Sequence, residues 1–149
     1  MADEILAKAL GAIGRKERSV AEMREWLQER EVEPEEIDRV VNFLIENEAL
    51  DDRKFAFAFV SDKRELAGWG RTRIRETLRK RKIPRPDIEE ALNRDDGETE
   101  VDRATRVLEE KDADLSDDRG RSRALGLLSR RGYSAEDSYA AIRRKSSDF

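Results

Sequence analysis

GWGRTRIRETLRKRKIPRP, residues Gly68 to Pro86, gathers Arg71, Arg73, Arg75, Arg79, Lys80, Arg81, Lys82 and Arg85 around a single acid, Glu76. Ile74, Leu78 and Ile83 recur in it at the spacing of one helical face. The same ten-residue frame appears twice more: MREWLQEREV at 23–32 and ALGLLSRRGY at 124–133, beside IRETLRKRKI at 74–83. Each has apolar residues at its first, fifth and tenth places (Met23, Leu27, Val32; Ile74, Leu78, Ile83; Ala124, Leu128, Tyr133) and arginine at its eighth (Arg30, Arg81, Arg131). A repeat of about fifty residues is the signature of a helical array or solenoid.

Helix punctuation surrounds each copy. Ser19 followed by Glu22 forms a capping-box pair, Pro34 and Pro86 suit first helical positions, and Asp51, Asp52, Ser116 and Ser134 are candidate N-caps. A second amphipathic helix follows each block, carrying Ile37 with Val41, Ile88 with Leu92, and Ser138 with Ile142, where serine interrupts the pattern. A helix precedes each block, near residues 3–13, 52–67 and 98–112. FAFAFV (55–60) alternates like a strand, but Phe55, Phe59 and Leu66, with Ala56 and Val60 beside them, fit a helical face over the longer window. The expected fold is therefore all-α: three tandem three-helix, helix-turn-helix-like repeats spanning 1–50, 51–95 and 96–149, in an elongated monomer whose units lean on one another.

Composition narrows the chemistry. The 149 residues are 44% charged and 37% hydrophobic, with a mean hydropathy of −0.89, so a thin core without a deep pocket is expected. Histidine and cysteine are both absent, which removes the commonest general base and the thiolate metal ligands. No catalytic residues, cofactor or metal site are expected; the Asp51–Asp52 pair reads as helix capping rather than as metal ligation. FAFAFV is far shorter than a membrane span and the N-terminus lacks the marks of a signal peptide, so a cytoplasmic protein is expected.

Charge is segregated along the chain. Residues 1–50 hold 7 basic and 13 acidic side chains, 51–94 hold 13 and 8, and 95–149 hold 11 and 14, so only the middle segment is positive in a chain of net charge −4. On a wheel with Ile74 at zero, Arg75, Arg79, Lys80 and Arg73 fall at about 100°, 140°, 240° and 260°, away from the apolar stripe, whereas Arg81 falls at about 340°, beside it. The first four suit a phosphate backbone. Arg81, with Arg30 and Arg131, is read as neutralising a helix C-terminus or pairing with an acid of the next helix. Trp69, between two glycines ahead of the helix, is read as packing over the helix start, with base stacking as the functional alternative. Phe57, left outside the inward face, is a candidate partner contact.

LDDRKFAFAFVSDKRELAGWGRTRIRETLRKRKI (50–83) resembles the signature of the RecX regulatory proteins: a leucine and paired aspartates, an FA-x-A-aromatic-V helix, a basic linker, G-x-G and an R-I helix. The flanking RKERSVAEMREWLQEREV and RSRALGLLSRRGYSAEDSYAAIRRK resemble that family's adjoining segments, so the likeness spans roughly residues 12–144. Two positions depart from it: Lys82 stands where glycine is usual, and Phe57 where an exposed polar residue is common. The resemblance implies an array of three-helix units that binds the RecA filament on single-stranded DNA, blocks its growth, and damps its recombinase, ATPase and co-protease activities. Arg71, Arg73, Arg75, Arg79, Lys80, Lys82 and Trp69 are the candidate contacts to filament and nucleic acid. The alternative is an autonomous helix-turn-helix DNA binder with the Gly70–Lys82 helix in a major groove.

Overall fold

In the computed structural model, which describes residues 2–147, nine α-helices are found among the described residues and no strand. They are α1 (Ala2–Arg15), α2 (Val20–Glu29), α3 (Pro34–Glu46), α4 (Asp52–Leu66), α5 (Arg71–Lys80), α6 (Arg85–Leu92), α7 (Glu100–Glu110), α8 (Asp118–Arg131) and α9 (Ala135–Ser147). The all-α array expected from the repeat is what forms. Three separate cores lie along it, built around Met23, Leu27, Val40 and Leu44; around Phe55, Ile74, Leu78 and Leu92; and around Leu108, Leu128, Tyr133 and Ile142. Leu27, Leu78 and Leu128 hold the same place in the repeat and are each fully buried, contributing about 2–3 kcal/mol apiece by area removed from water.

Local chemistry sets the helix ends. Glu22 N–H donates to Ser19 Oγ and Ser19 N–H donates back to the Glu22 carboxylate, completing the capping box. Asp51 caps α4 through the Lys54 amide, and Ser134 accepts from the Asp137 amide at the start of α9. The cap of α8 is Asp117 rather than Ser116. Asp52 does not cap its own helix. Its carboxylate accepts from Val20 N–H, at 2.9 Å, across to the first unit. Ser138, the interruption in the apolar pattern, is fully buried because its hydroxyl donates to the Ser134 carbonyl one turn back.

FAFAFV lies inside α4 with Phe55, Ala56 and Val60 buried. Leu66, expected on the same face, is instead 84% exposed. Four residues on from Val60, the stripe reaches Arg64, which is 5% exposed and donates to the Leu92 carbonyl at 2.9 Å. Leu66 lies two residues beyond that register and rotates off the face.

Successive units meet end to end. The C-terminal end of α8 abuts the N-terminal end of α5: Gly70 N–H donates to Arg131 O at 2.7 Å, and Thr72 N–H to Gly132 O at 3.1 Å. Backbone can approach backbone only because no Cβ intervenes. One added at Gly70 would lie 2.6 Å from Gly132 O, and one at Gly132 would lie 2.3 Å from Arg73 Cβ. Tyr133 Oη donates to Gly68 O, and Arg131 Nη1 to Ala67 O at 2.8 Å. The C-terminal end of α5 meets the start of α2 through side chains instead. There Arg81 donates to both oxygens of Glu22, at 2.9 and 3.0 Å, and to Glu17 O at 2.8 Å, while Lys82 pairs with Glu25.

Two of the three repeated arginines are thus clamps between units. Arg81 takes an acid of the preceding unit and Arg131 the α4 C-cap carbonyl of the preceding unit; Arg30 stacks on the Trp26 ring at 3.7 Å and donates to Trp26 O. A second device runs alongside. The acid at the first position of the next unit's first helix receives an unpaired amide from α2 or α5: Asp52 takes Val20 N–H, and Glu100 takes Arg71 N–H at 2.9 Å. Buried Arg103 braces the second junction from within, donating to Asp96 at 2.7 Å and Glu100 at 3.0 Å.

Candidate functional site

The candidate contacts sort into two groups once α5 is placed. Arg71 belongs to the second junction: its amide is held by Glu100, its guanidinium points to Leu92 O at 3.4 Å, and its Nε is buried. Lys82 belongs to the first, through Glu25. Trp69 is half-buried, edge-on to Phe59 at 6.2 Å between ring centres, with the Arg73 guanidinium 3.9 Å above its ring. It packs over the start of α5, as the structural reading expects. Arg73 is exposed and also donates to Arg130 O at 3.2 Å.

Of the remaining cations, Arg79 and Lys80 face solvent and Arg75 does so only in part. Arg75, half-buried, grips Glu89 with two hydrogen bonds, at 2.7 and 3.1 Å, and Arg79 grips Glu76 one turn earlier, at 2.7 and 3.2 Å. Arg75 thus looks sideways toward α6, not straight outward. Lys80 is exposed and makes no hydrogen bond or ion pair among the described residues. Arg75, Arg79 and Arg85 together line a groove of about 640 Å³ between α5 and α6, with Ile83, Ile88 and Glu89. Arg85 stands outside the set expected from the α5 wheel because it begins the next helix, and only packing of α6 on α5 brings it alongside.

Electrostatics favour an anion in this groove. The Arg75 hydrogen bonds hold the Glu89 carboxyl below its ordinary pKa against the opposing effect of burial, with Arg85 and Arg71 adding to the pull. Three guanidinium groups against the carboxylates of Glu89 and Glu76 leave the groove positive. The Arg79–Glu76 pair is solvent-exposed, where ion pairs contribute little, so a phosphate can take the place of the carboxylate at small cost. Planar guanidinium forks suit bidentate phosphate contacts.

Phe57 is half-buried, with Arg53 and Arg94 guanidinium groups 4.9 and 5.5 Å from its ring centre, rather than wholly outside. The Asp51–Asp52 pair is occupied in holding the amides of Lys54 and Val20. No group of three or more acids placed to hold a metal occurs among the described residues, and no helix there is long and apolar enough to cross a membrane. The N-terminal end of α5, the part of a recognition helix that enters a major groove, is covered by Arg131 and Gly132.

These features define a tandem array of three-helix units joined through the ends of their second helices, with a basic groove on the middle one. Residues 6–44 match the family model described as RecX, first three-helix domain, and residues 51–92 match RecX, second three-helix domain. The chain belongs to the RecX family. It is 35% identical over 127 residues to a regulatory protein RecX of Pseudomonas savastanoi pv. phaseolicola, covering 84% of this chain and 81% of that protein. It is 34% identical over 142 residues to the one from Deinococcus radiodurans, covering 95% of this chain and 68% of that one. The crystal structure of RecX from Lactobacillus salivarius superposes with a TM-score of 0.81 at 18% identity, over 96% of this chain and 95% of that one, a likeness of fold. Membership in this family of regulatory proteins supports a regulatory role.

Proposed function

We propose that this protein binds the RecA filament on single-stranded DNA and restrains its growth, and with it recombinase, ATPase and co-protease activity, without catalysing a reaction itself. The observation that carries this reading is the positive groove of Arg75, Arg79 and Arg85, continued by exposed Lys80 and Arg73 on a middle unit flanked by acidic ones. A phosphate backbone fits such a groove, while the acidic first and third units suit basic surfaces of RecA. Phe57, between its two arginines, is an apolar anchor on the same unit, and Trp69 holds Arg73 in place over its ring.

The test is RecA ATPase on single-stranded DNA, followed as the protein is added, for the parent chain and for an Arg79→Glu, Lys80→Glu, Arg85→Glu triple variant. The parent should inhibit, and the triple variant should need several-fold more protein to do so. In direct binding to single-stranded DNA, the slope of log affinity against log salt should fall by about 0.7 for each phosphate that the variant no longer neutralises. Equal inhibition and equal slopes for both proteins would remove the groove from the mechanism; no inhibition by the parent would remove the function.

A further inference from the structure

The acids of the third unit are crowded into its first half. Residues 95–118 hold 3 basic and 11 acidic side chains, whereas 119–149 hold 8 and 3, so the second half is as positive as residues 51–94. Four of those cations are engaged: Arg121 pairs with Asp118 and Arg144 with Asp102, while Arg131 and Lys145 donate to the carbonyls of Ala67 and Ala113. Arg123 and Arg130, on α8, are exposed, and their side chains make no hydrogen bond or ion pair among the described residues.

The repeat gives these two arginines a place. With Ala124 at zero, as Ile74 is for α5, Arg130 and Arg123 fall at about 240° and 260° on the α8 wheel, the angles of Lys80 and Arg73 on α5. The first unit carries Glu29 and Glu22 there instead. The second junction sets the two faces side by side: the Arg73 guanidinium donates to Arg130 O at 3.2 Å, next to the backbone bonds between α8 and α5. Lys80, Arg73, Arg130 and Arg123 thus follow one another along two helices about 15 and 21 Å long. Glu76 and Asp118, on the same helices, are held by Arg79 and Arg121, and Asp114 and Asp117, in the turn before α8, by the amides of Ser116 and Gly120. The row ends at Arg119, which adjoins that acidic turn, and at the first junction, where Glu22 binds Arg81.

We propose that this row is a second contact for single-stranded DNA, carrying the strand from the middle unit across the Gly70–Gly132 junction onto α8. This contact rests on the reading of the middle unit as strand-binding, and places DNA on a unit whose net charge alone points away from it. Phosphates can bind there without displacing a carboxylate, because Lys80, Arg123 and Arg130 hold none, whereas Arg75 and Arg79 must be drawn from Glu89 and Glu76. A single file of cations suits one backbone rather than the two of a duplex. The surroundings disfavour a protein partner. Protein interfaces are built on an apolar centre, and none of the exposed large apolar side chains, Leu10, Phe43, Ile45, Leu66 and Tyr139, belongs to α5 or α8.

Fluorescence anisotropy of labelled oligo-dT in a series of lengths, with the full chain and no RecA present, tests this. Arg123→Glu with Arg130→Glu should weaken binding to a long oligonucleotide about tenfold and lower the salt slope by about 1.4, or about 0.7 for each of two phosphates no longer neutralised. The loss should vanish for oligonucleotides too short to reach beyond the middle unit, and should add to that of the Arg79→Glu, Lys80→Glu, Arg85→Glu variant. Lys8→Glu with Lys111→Glu makes the same change of net charge at exposed positions off the row, and should stay close to the parent. Helical circular dichroism checks that each variant is folded. An α8 variant that binds every length as the parent does, while the groove variant fails, overturns the proposal and leaves the middle-unit reading standing; a parent that binds no strand overturns both. An α8 variant that keeps DNA binding but no longer restrains RecA ATPase would give the row to an acidic surface of RecA, and a parent that prefers duplex would give it to paired DNA. Either result also overturns the proposal.

Discussion

Arg81 and Glu22, separated by 59 positions in the chain, share two hydrogen bonds of 2.9 and 3.0 Å across the boundary between the first and middle units. The arginine also covers the Phe55 ring at 4.9 Å, so one side chain ties a core, a helix start and a neighbouring unit together. Glu22 in turn closes the capping box of α2. Loss of either residue therefore disturbs local helix capping and the stacking of units at once.

A double-mutant cycle on Arg81→Ala and Glu22→Gln should return a coupling energy of about 1 kcal/mol, since each side chain is about a quarter exposed and partly screened. Burial raises the Glu22 pKa, but the hydrogen bonds from Arg81 and the Ser19 amide outweigh it and hold the carboxyl below its ordinary value. The unfolded chain takes up the proton first as pH falls. The stabilisation is therefore complete above about pH 4.3, the unfolded glutamate value, and drains away as pH drops through the lower folded value. Urea melts at neutral pH and near pH 3 should show the coupling shrinking at the acid end.

Gly132→Ala should separate the third unit from the middle one. Its φ of +98° disfavours any side chain, and the added Cβ would meet the backbone and Cβ of Arg73. A loss of at least about 2 kcal/mol is expected, with protease cleavage rising in the 93–99 connection. Gly11→Ala in α1, where the Cβ meets only the flexible end of Arg15 at 3.6 Å, should instead stabilise by about 0.5–1 kcal/mol. Thermal melts of the two variants moving in the same direction would contradict the junction's geometry.

Glu31→Gly should raise stability by about 1 kcal/mol. Glu31, Lys82 and Gly132 occupy the same place after the second helix of each unit, and all three adopt left-handed backbone, at φ of 59°, 61° and 98°. Glycine enters that region without strain, which is why it suits this place and why Lys82 departs from the family pattern at a cost. Lys82→Gly should gain less than Glu31→Gly, because it forgoes the pair with Glu25. Chemical melts of both variants give the comparison directly.

Tyr133→Phe should cost about 1 kcal/mol at neutral pH through the missing hydrogen bond to Gly68 O. Burial, reinforced by Glu100, pushes the phenol well above its ordinary value. Above about pH 10 the unfolded chain releases that proton while the folded chain keeps it, so the parent loses stability with rising pH where the phenylalanine variant does not. The stability gap between the two should narrow and then change sign, as followed by alkaline denaturant melts.

The buried stripe Ile74, Leu78 and Ile83 was legible because helical periodicity is local, and so was the Ser19–Glu22 box, whose partners are three residues apart. Leu66 was not, since extending a face by two residues at the end of α4 ignores the rotation that puts Arg64 inside. The wheel turned Arg81 correctly toward the core side without naming Glu22, which lies in another unit. It could not place Arg85 beside Arg75 and Arg79 either, because a wheel contains one helix and the groove needs two. Gly70 and Gly132 were visible as residues; their contact with each other was not.

By itself, the order of residues determined the helices, their caps and the threefold repeat, since these depend on neighbours within about one turn. The way units stack, the choice of partner for each recurring arginine and the existence of the basic groove were decided by tertiary structure. Those depend on which surfaces exclude water together and which backbones come close enough to bond, and both are settled only when segments about fifty residues apart are brought into contact.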